Sequence, residues 1–269
     1  MADQQGFWPI ADDLAMLHDV IIEYAVRIQT EAAAKQEKTA EGPVSHAALF
    51  TLHRVAIVTH RSLRSLCETG WTEVTPTLIR TLLDVLASCY AIVSKSEDSE
   101  YMAFKFMCSY LIQAIGDPDT SSELKRHNQE QLDKMRQQLK GPDVKRVDDF
   151  IGNFKLQPYW FCPEFSSPGK IFKDSIPRFF YMYRQFSGTV HGSFVGSVLF
   201  SDSPDTPSIN PQENPVRTRS AIVASSRLLL DLSWARGTFD GIANQDEYKE
   251  IVKTYILPQK DKVEIRPPI

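Results

Sequence analysis

Residues 77–93 have the sequence TLIRTLLDVLASCYAIV, and this stretch decides the fold class. Its apolar side chains recur at three- and four-residue spacing, which is the period of an α-helix. They cover more than half of the helix circumference, so little of this helix is suited to contact with water. We therefore expect it to lie at the centre of a bundle, with other helices packed around it.

Amphipathic patterns separated by glycine and proline breakers extend on both sides of this stretch. They predict further helices at about 12–38, 45–68, 99–115 and 121–140, a short helix through 150, and a helix that Asp174 caps and that continues into residues 183–193. Asn214 and Pro215 form a cap and first-turn pair for a helix at about 215–237, and a last helix is expected at 245–256. The sequence thus predicts an all-α fold, a single-domain bundle of about eight to nine helices. The domain is expected to span 1–269, with a core at about 11–257 and a flexible tail at 258–269.

One segment, 153–173, departs from the helical pattern. Aromatic residues alternate there with proline and glycine, which is typical of an ordered loop rather than a helix. Such a loop could be a lid or a subunit contact, and the pattern favours a hydrophobic plug packed on the body of the bundle. We predict one aromatic and proline-rich loop insertion at this position.

Composition and charge exclude several classes of protein. The chain has 269 residues, of which 42% are hydrophobic and 24% charged, as in ordinary globular proteins. No apolar run reaches the roughly 18–20 residues of a membrane span, so we expect no membrane partner. A formal net charge of −4 argues against non-specific coating of nucleic acid but is compatible with a local basic pocket. The N-terminal residues show neither a secretion signal nor a transit peptide, which predicts a cytoplasmic protein.

The cysteines and histidines do not form a metal-binding pattern. Cysteines 67, 89, 108 and 162 are far apart, and the first three lie in apolar helical patterns, which favours buried thiols over disulfides. His46, His53 and His60 recur every seven residues, about 10 Å apart on a helix, which is too far to share one ion. We predict no metal and no cofactor. The histidines could form a half-buried polar stripe, or His60 and Arg64 could line a pocket.

Arg80 and Asp84 stand out on the minority polar face of the central helix. A basic residue four positions before an acidic one is the weaker orientation for an isolated surface pair, so we expect partners from other helices. Two interpretations stay open. The pair could be a structural salt bridge that fixes this helix against a neighbour, or it could belong to a functional site.

Residues 183–193, YRQFSGTVHGS, combine an arginine and a histidine with glycines and hydroxyl groups. If the segment is helical, His191 follows Arg184 by two turns, and both side chains project from nearly the same face. The planar guanidinium of arginine matches phosphate oxygens, and histidine can act as an acid or a base near neutral pH. The pair is therefore chemically sufficient for cleavage of an RNA phosphodiester, which does not strictly require a metal.

Two features of this segment keep an alternative open. Gly188 lies between the arginine and the histidine, and a helix that stopped there would let the two side chains point in different directions. His191 could also cap the carbonyl groups at a helix end. Gln185, Ser187 and Ser193 are the polar neighbours that would support a site.

Arg184, the polar Gln185, five further residues and His191 resemble the Arg-(4 to 6 residues)-His motif of the HEPN superfamily. These are all-helical proteins, many of which are metal-independent ribonucleases of bacterial toxin and antiphage systems. The resemblance implies an RNA substrate, a homodimer with a composite cleft, and an antitoxin or other protein partner. In it Arg184 binds the scissile phosphate and His191 is the acid or base. The supporting residues would be Arg80, Asp84, His60, Arg64, Gln185, Ser187 and Ser193.

A second resemblance extends over roughly residues 45–200. The Gly70-Trp71 turn, residues 78–84 and residues 190–193 are similar to an uncharacterised bacterial helical family, in which the acidic position equivalent to Asp84 is usually glutamate. An alternative function of a different class is a non-catalytic helical scaffold that binds a protein partner or a nucleotide. In that protein the same polar residues would hold helices together.

Overall fold

A computed structural model describes residues 8–36, 43–94, 96–137, 142–154, 159–190 and 214–260. Every regular element in these ranges is a helix, which confirms the all-α prediction. The α-helices are α1 (Asp12–Gln36), α2 (Val44–Glu68), α3 (Thr75–Val93), α4 (Ser99–Gly116), α5 (Ser122–Gln137), α6 (Pro142–Asn153), α7 (Pro168–Ser175), α8 (Phe180–Val190), α9 (Pro215–Phe239), α10 (Gln245–Ile251) and α11 (Leu257–Lys260). That the chain is a single domain stays a prediction.

Helix α3 lies at the centre, as its apolar circumference predicts. It packs against α2, α4, α7, α8 and α9, and Leu83, Leu86 and Ile92 are fully buried. The helical segment Thr72–Val93 is also long and apolar enough to cross a membrane, with a mean hydropathy of 1.4. However, 56% of that apolar window is buried inside the protein, which is the behaviour of a core helix.

Helix α9 is the second core helix, packed against α1, α2 and α3. It begins at the position predicted from Asn214 and Pro215: the Asn214 side chain accepts a hydrogen bond from the Arg217 N–H at 2.9 Å, and proline occupies the first turn. Unlike α3, it buries charged as well as apolar side chains, among them Asp231 and Arg236. Its interfaces are therefore held by hydrogen bonds in addition to apolar packing.

The aromatic segment packs as the predicted plug over residues 159–167. Phe161, Cys162 and Phe165 are buried. From α4, the ammonium group of the fully buried Lys105 donates to the Cys162 carbonyl and, at 2.5 Å, to the Glu164 carboxylate. This buried cation ties the plug to the body of the bundle.

The predicted loop ends earlier than expected, because α7 occupies part of it. The Ser167 hydroxyl accepts a hydrogen bond from the Lys170 N–H, and Pro168 fits the first turn, so the helix begins there and not at Asp174. Pro177 then lies in a separate 3-10 turn before α8 begins at Phe180. The prediction of one helix starting at Asp174 and running through Pro177 is therefore wrong.

The C-terminal helix also extends further than predicted. A π-helical stretch, Val252–Ile256, leads from α10 into α11, which reaches Lys260. Gln259 is buried there and accepts a hydrogen bond from Arg219 of α9. The helical part of the chain therefore continues past residue 258, where the tail was predicted to begin. Residues 261–269 lie outside the described part of the chain.

All four cysteines are free and buried, as predicted. Burial raises the pKa of the Cys67, Cys89 and Cys108 thiols to about 12. Because the thiolate is the reactive form, these three side chains act as small apolar groups of the core.

Candidate functional site

Helix α8 carries the arginine of the predicted catalytic pair and packs against α3. It runs through Gly188 to Val190 without interruption, so the glycine does not end the helix. Arg184 is exposed on its surface. His191 and Ser193 lie outside the described residues, and so does the side chain of Gln185. The relative direction of the Arg184 and His191 side chains therefore stays a prediction.

Arg80 joins α3 to α8. Its Nη1 donates a hydrogen bond to Ser187 Oγ at 2.5 Å, and its Nη2 donates to the Tyr183 hydroxyl at 3.0 Å. The guanidinium carbon lies 4.0 Å from the centre of the Tyr183 ring, within the range of a cation–π contact. The side chain is only 12% exposed. The expected partners from another helix are thus confirmed.

Asp84 forms an ion pair with Arg80 within α3. Its Oδ1 lies 3.1 Å from Arg80 Nη2, but the carboxylate side chain is 48% exposed. Because solvent screens such a pair, we expect it to contribute less than about 1 kcal/mol. The structural salt bridge foreseen for this pair exists, and the stronger attachment of α3 to a neighbour comes from the bonds of Arg80 to α8.

Arg184 lies about one helical turn before Ser187, the residue of α8 that Arg80 contacts. Ser187 follows Arg184 by three residues, which makes the two side chains neighbours on the helix surface. Ser187 also accepts the hydrogen bond from Arg80. We call Arg80, Tyr183, Arg184 and Ser187 the α3–α8 cluster. Within the cluster the Arg80 guanidinium is bonded to Tyr183 and Ser187 and only 12% exposed. Arg184 is its exposed cation, and a guanidinium suits a phosphate.

His60 and Arg64 were expected beside Arg80, and the structure places them elsewhere. His60 is fully buried, with its Nδ1 2.9 Å from Ser225 Oγ of α9 and its ring stacked at 4.5 Å on His18 of α1. Arg64 donates to Asp19 of α1 at 2.6 Å. The prediction that His60 and Arg64 support the same site as Arg80 is therefore wrong. Their face of α2 packs against α1 and α9, whereas the Arg80 side chain extends from α3 to α8.

The histidine stripe of α2 is buried more deeply than the sequence indicates. His53 Nδ1 lies 2.7 Å from Gln29 Oε1, and its Nε2 lies 2.8 Å from Ser233 Oγ of α9. His46 Nδ1 lies 2.9 Å from Asp240 Oδ1 at the end of the same helix, and only this histidine is partly exposed, at 23%. The three histidines therefore form a row of polar contacts between α2 and the antiparallel helix α9. The prediction of half-buried side chains is correct for His46 alone.

Burial also excludes two of these histidines as catalytic groups. Desolvation, together with the charge of the nearby Arg236, lowers the pKa of His53 to about 3. Desolvation, together with the charges of His18 and Arg64, holds the pKa of His60 well below its ordinary value of 6.5. Both imidazoles are neutral at physiological pH, so neither exchanges a proton in the range that acid–base catalysis needs.

A second charged cluster, which was not predicted from the sequence, anchors the start of α8. Asp231 of α9 is fully buried and accepts hydrogen bonds from Arg178, from Arg227 Nε at 2.7 Å and from the Tyr248 hydroxyl at 2.5 Å. Arg178 lies in the turn before α8, and Tyr248 belongs to α10. A signal was present, because Arg227 and Asp231 are four residues apart around three leucines that must be buried.

Surface hollows lie elsewhere on the described chain. In the described ranges, no group of three or more histidine, cysteine and acidic side chains could hold a metal ion. An open hollow of about 340 Å³ lies along α5, but Ser121 and residues of that single helix line it. The α3–α8 cluster therefore remains the candidate site.

We expect Arg80→Ala to lower the free energy of unfolding by about 2–4 kcal/mol. The substitution removes two hydrogen bonds that the charged guanidinium donates, and it leaves Tyr183 and Ser187 without that partner. Urea unfolding followed by circular dichroism measures this change. Arg126→Ala is the matched control, since that side chain is 74% exposed on α5. Equal stability of the two variants would show that Arg80 does not hold α8.

Comparison with known proteins places the cluster within a family. Residues 46–206 match the model of DUF5677, described as a family of unknown function, and this range contains Arg80, Asp84, Arg184 and His191. No curated protein and no solved structure matches the chain. The family match assigns no activity to the cluster. Because it spans more than half of the sequence, this chain belongs to DUF5677, a family of unknown function.

Proposed function

We propose that this protein is a HEPN-like, metal-independent endoribonuclease, a toxin-like defence or stress protein that acts on RNA in the cytoplasm as a homodimer. Arg184 binds the scissile phosphate, and His191 is the general acid or base. The observation that supports this proposal is the continuity of α8. The helix extends from Arg184 through Gly188 to the residue before His191, and the Arg184 side chain is exposed to solvent.

The chemistry follows from the RNA itself. The 2′-hydroxyl loses its proton to a base and attacks the adjacent phosphorus, while the bond from phosphorus to the 5′-oxygen breaks and that oxygen takes up a proton. The products are a 2′,3′-cyclic phosphate and a 5′-hydroxyl. His191 accepts or donates a proton in this sequence, and Arg184 stabilises the negative charge on the phosphate oxygens. A homodimer would supply a second imidazole for the other proton transfer.

Cleavage of a labelled single-stranded RNA in the presence of a metal chelator tests the proposal. We expect the parent protein to release products with a cyclic phosphate end, and His191→Ala to slow cleavage by about 100-fold or more, the usual contribution of a general acid or base. His127→Ala, prepared in parallel, is the control, because this exposed histidine lies on α5. Activity that the chelator abolishes, or that survives in His191→Ala, would contradict the proposal.

A second candidate function rests on how Arg80 is held. Its hydrogen bonds go to Tyr183 and Ser187 of the same chain, as expected for a residue that fixes two helices together. The protein would then be a non-catalytic scaffold that binds a protein partner or a nucleotide. Absence of cleavage in the parent protein, combined with a large loss of stability in Arg80→Ala, would favour this function over the ribonuclease.

A further inference from the structure

Three exposed side chains line up at the start of α8. Arg178, Tyr181 and Arg184 are spaced three residues apart: Arg178 lies in the 3-10 turn that leads into α8, and Tyr181 and Arg184 are neighbours on the helix surface. The Arg178 side chain is 50% exposed, and Tyr181 is 58% exposed. We call these three residues the α8 stripe. Along the chain the two arginines flank a tyrosine whose ring solvent reaches, and the Arg178 guanidinium also pairs with Asp231.

The stripe is electrically positive although the chain has a formal net charge of −4. Helix α8 contains no acidic residue. The carboxylate that pairs with Arg178 belongs to Asp231, which is fully buried and also binds Arg227, so two positive charges face a single negative one. This excess of positive charge makes the surface complementary to an anionic ligand.

The two tyrosines of this helix have different roles. Tyr183 packs inside the interface, where the Arg80 guanidinium lies 4.0 Å from the centre of its ring and the Phe172 ring lies 5.3 Å away. Tyr181 instead presents its ring to solvent. An exposed aromatic ring between cationic side chains is the arrangement with which proteins bind unpaired nucleotides, because the base stacks on the ring and the phosphates contact the cations.

We infer that the α8 stripe binds single-stranded RNA, with a base stacked on Tyr181 and the flanking phosphates on Arg178 and Arg184. This inference rests on the proposal that RNA is the substrate, and it adds a class of substrate and a mode of binding. A duplex is not a suitable ligand, since its bases are stacked on one another and cannot cover the Tyr181 ring.

Fluorescence anisotropy with a short, labelled, 2′-O-methylated oligoadenylate tests the inference, because this probe lacks the 2′-hydroxyl needed for cleavage. We expect Tyr181→Ala to weaken binding by about 5- to 150-fold, which corresponds to one stacked base. Arg184→Ala should reduce the slope of log Kd against log salt concentration by about 0.7, the value for one phosphate contact of a single strand. The same oligonucleotide annealed to its complement should bind more weakly than the single strand.

Two control variants replace an exposed tyrosine and an exposed arginine on other helices. Tyr110 is 68% exposed on α4, and Arg126 has a side chain that is 74% exposed on α5. Tyr110→Ala and Arg126→Ala should bind the oligonucleotide as the parent protein does. Equal losses in the control and test variants would overturn the inference, because the effect would then not belong to α8.

The outcomes also separate this inference from the proposed function. Binding that depends on Tyr181, in a protein that cleaves no RNA, supports the stripe and contradicts the ribonuclease. RNA cleavage together with unchanged oligonucleotide binding in Tyr181→Ala supports the ribonuclease and overturns the stripe. If Tyr181→Ala changes the molar mass measured by light scattering and leaves RNA binding intact, the stripe is a subunit contact and the inference is wrong.

Discussion

Asp231→Asn is expected to lower the free energy of unfolding by about 3 kcal/mol. The substitution keeps the shape of the side chain but removes the negative charge that two arginines share, and breaking a buried ion pair by removing one partner costs about 3–5 kcal/mol. The lower end applies because the Arg178 side chain is 50% exposed and can turn toward solvent, whereas Arg227 is only 20% exposed. Urea unfolding at neutral pH measures the change.

Asp174→Asn is the matched control for this prediction. Asp174 also pairs with a cation, Lys170, at 2.6 Å, but its side chain is 41% exposed and that of Lys170 is 52% exposed. A pair of this kind contributes less than about 1 kcal/mol, so the control should be nearly as stable as the parent protein. A loss in Asp231→Asn no larger than in the control would show that the buried carboxylate does not anchor α8 and α10.

Acidification to pH 5 is expected to destabilise the fold by about 2 kcal/mol through His53, and further through His60. In the unfolded chain each imidazole has a pKa of about 6.5 and takes up a proton as the pH falls. In the folded protein burial lowers the pKa of His53 to about 3 and holds that of His60 well below its usual value, so both stay neutral. The unfolded state then binds more protons, and stability decreases by about 1.4 kcal/mol per pH unit for each histidine.

The window for this effect lies between the unfolded pKa of about 6.5 and the lowered pKa of each buried imidazole. The contribution becomes constant about one pH unit above 6.5, where both states are neutral. Each imidazole has hydrogen-bond partners that suit its neutral form, Gln29 and Ser233 around His53 and Ser225 beside His60. The positive charges of Arg236 near His53 and of Arg64 near His60 also oppose protonation. Above pH 5 most carboxylates remain ionised, so the histidines dominate the change.

Urea midpoints at several pH values between 5 and 8 test this prediction. His53→Gln should be less stable than the parent at pH 8, but its stability should depend less on pH, by about 1.4 kcal/mol per unit. His127→Gln should leave the dependence unchanged, because that residue is exposed on α5. A parent protein whose stability is flat from pH 7 to 5 would contradict the burial of neutral histidines.

Local signals in the sequence predicted much of the helical framework. The apolar circumference of residues 77–93 correctly indicated the central helix, and Asn214 with Pro215 correctly indicated the start of α9. The start of α7 was missed although Ser167 and Pro168 form the same kind of signal, because the aromatic and proline content around them suggested a loop. Such errors concern the ends of elements, where helix-forming and turn-forming preferences compete.

The candidate site was predicted only in part. Arg80 meets Ser187 and Tyr183 more than 100 residues further along the chain, and the sequence indicated a partner from another helix without identifying it. Asp231 was missed because α9 is buried on almost every side, so its apolar pattern does not separate a solvent face from a core face. A buried carboxylate in such a helix is recognisable only when its partners from other helices are known.

The sequence alone determined that this protein is built from helices, that α3 lies at their centre and that its thiols are buried, because these properties depend on residues close together in the chain. Only the tertiary structure decided which polar residues meet: Arg80 bonds to Tyr183 and Ser187 of α8, whereas His60 is sealed between α1 and α9. The helical period establishes which side chains share one face of a helix. It does not determine which neighbouring helix covers that face, and this depends on how all the helices pack together.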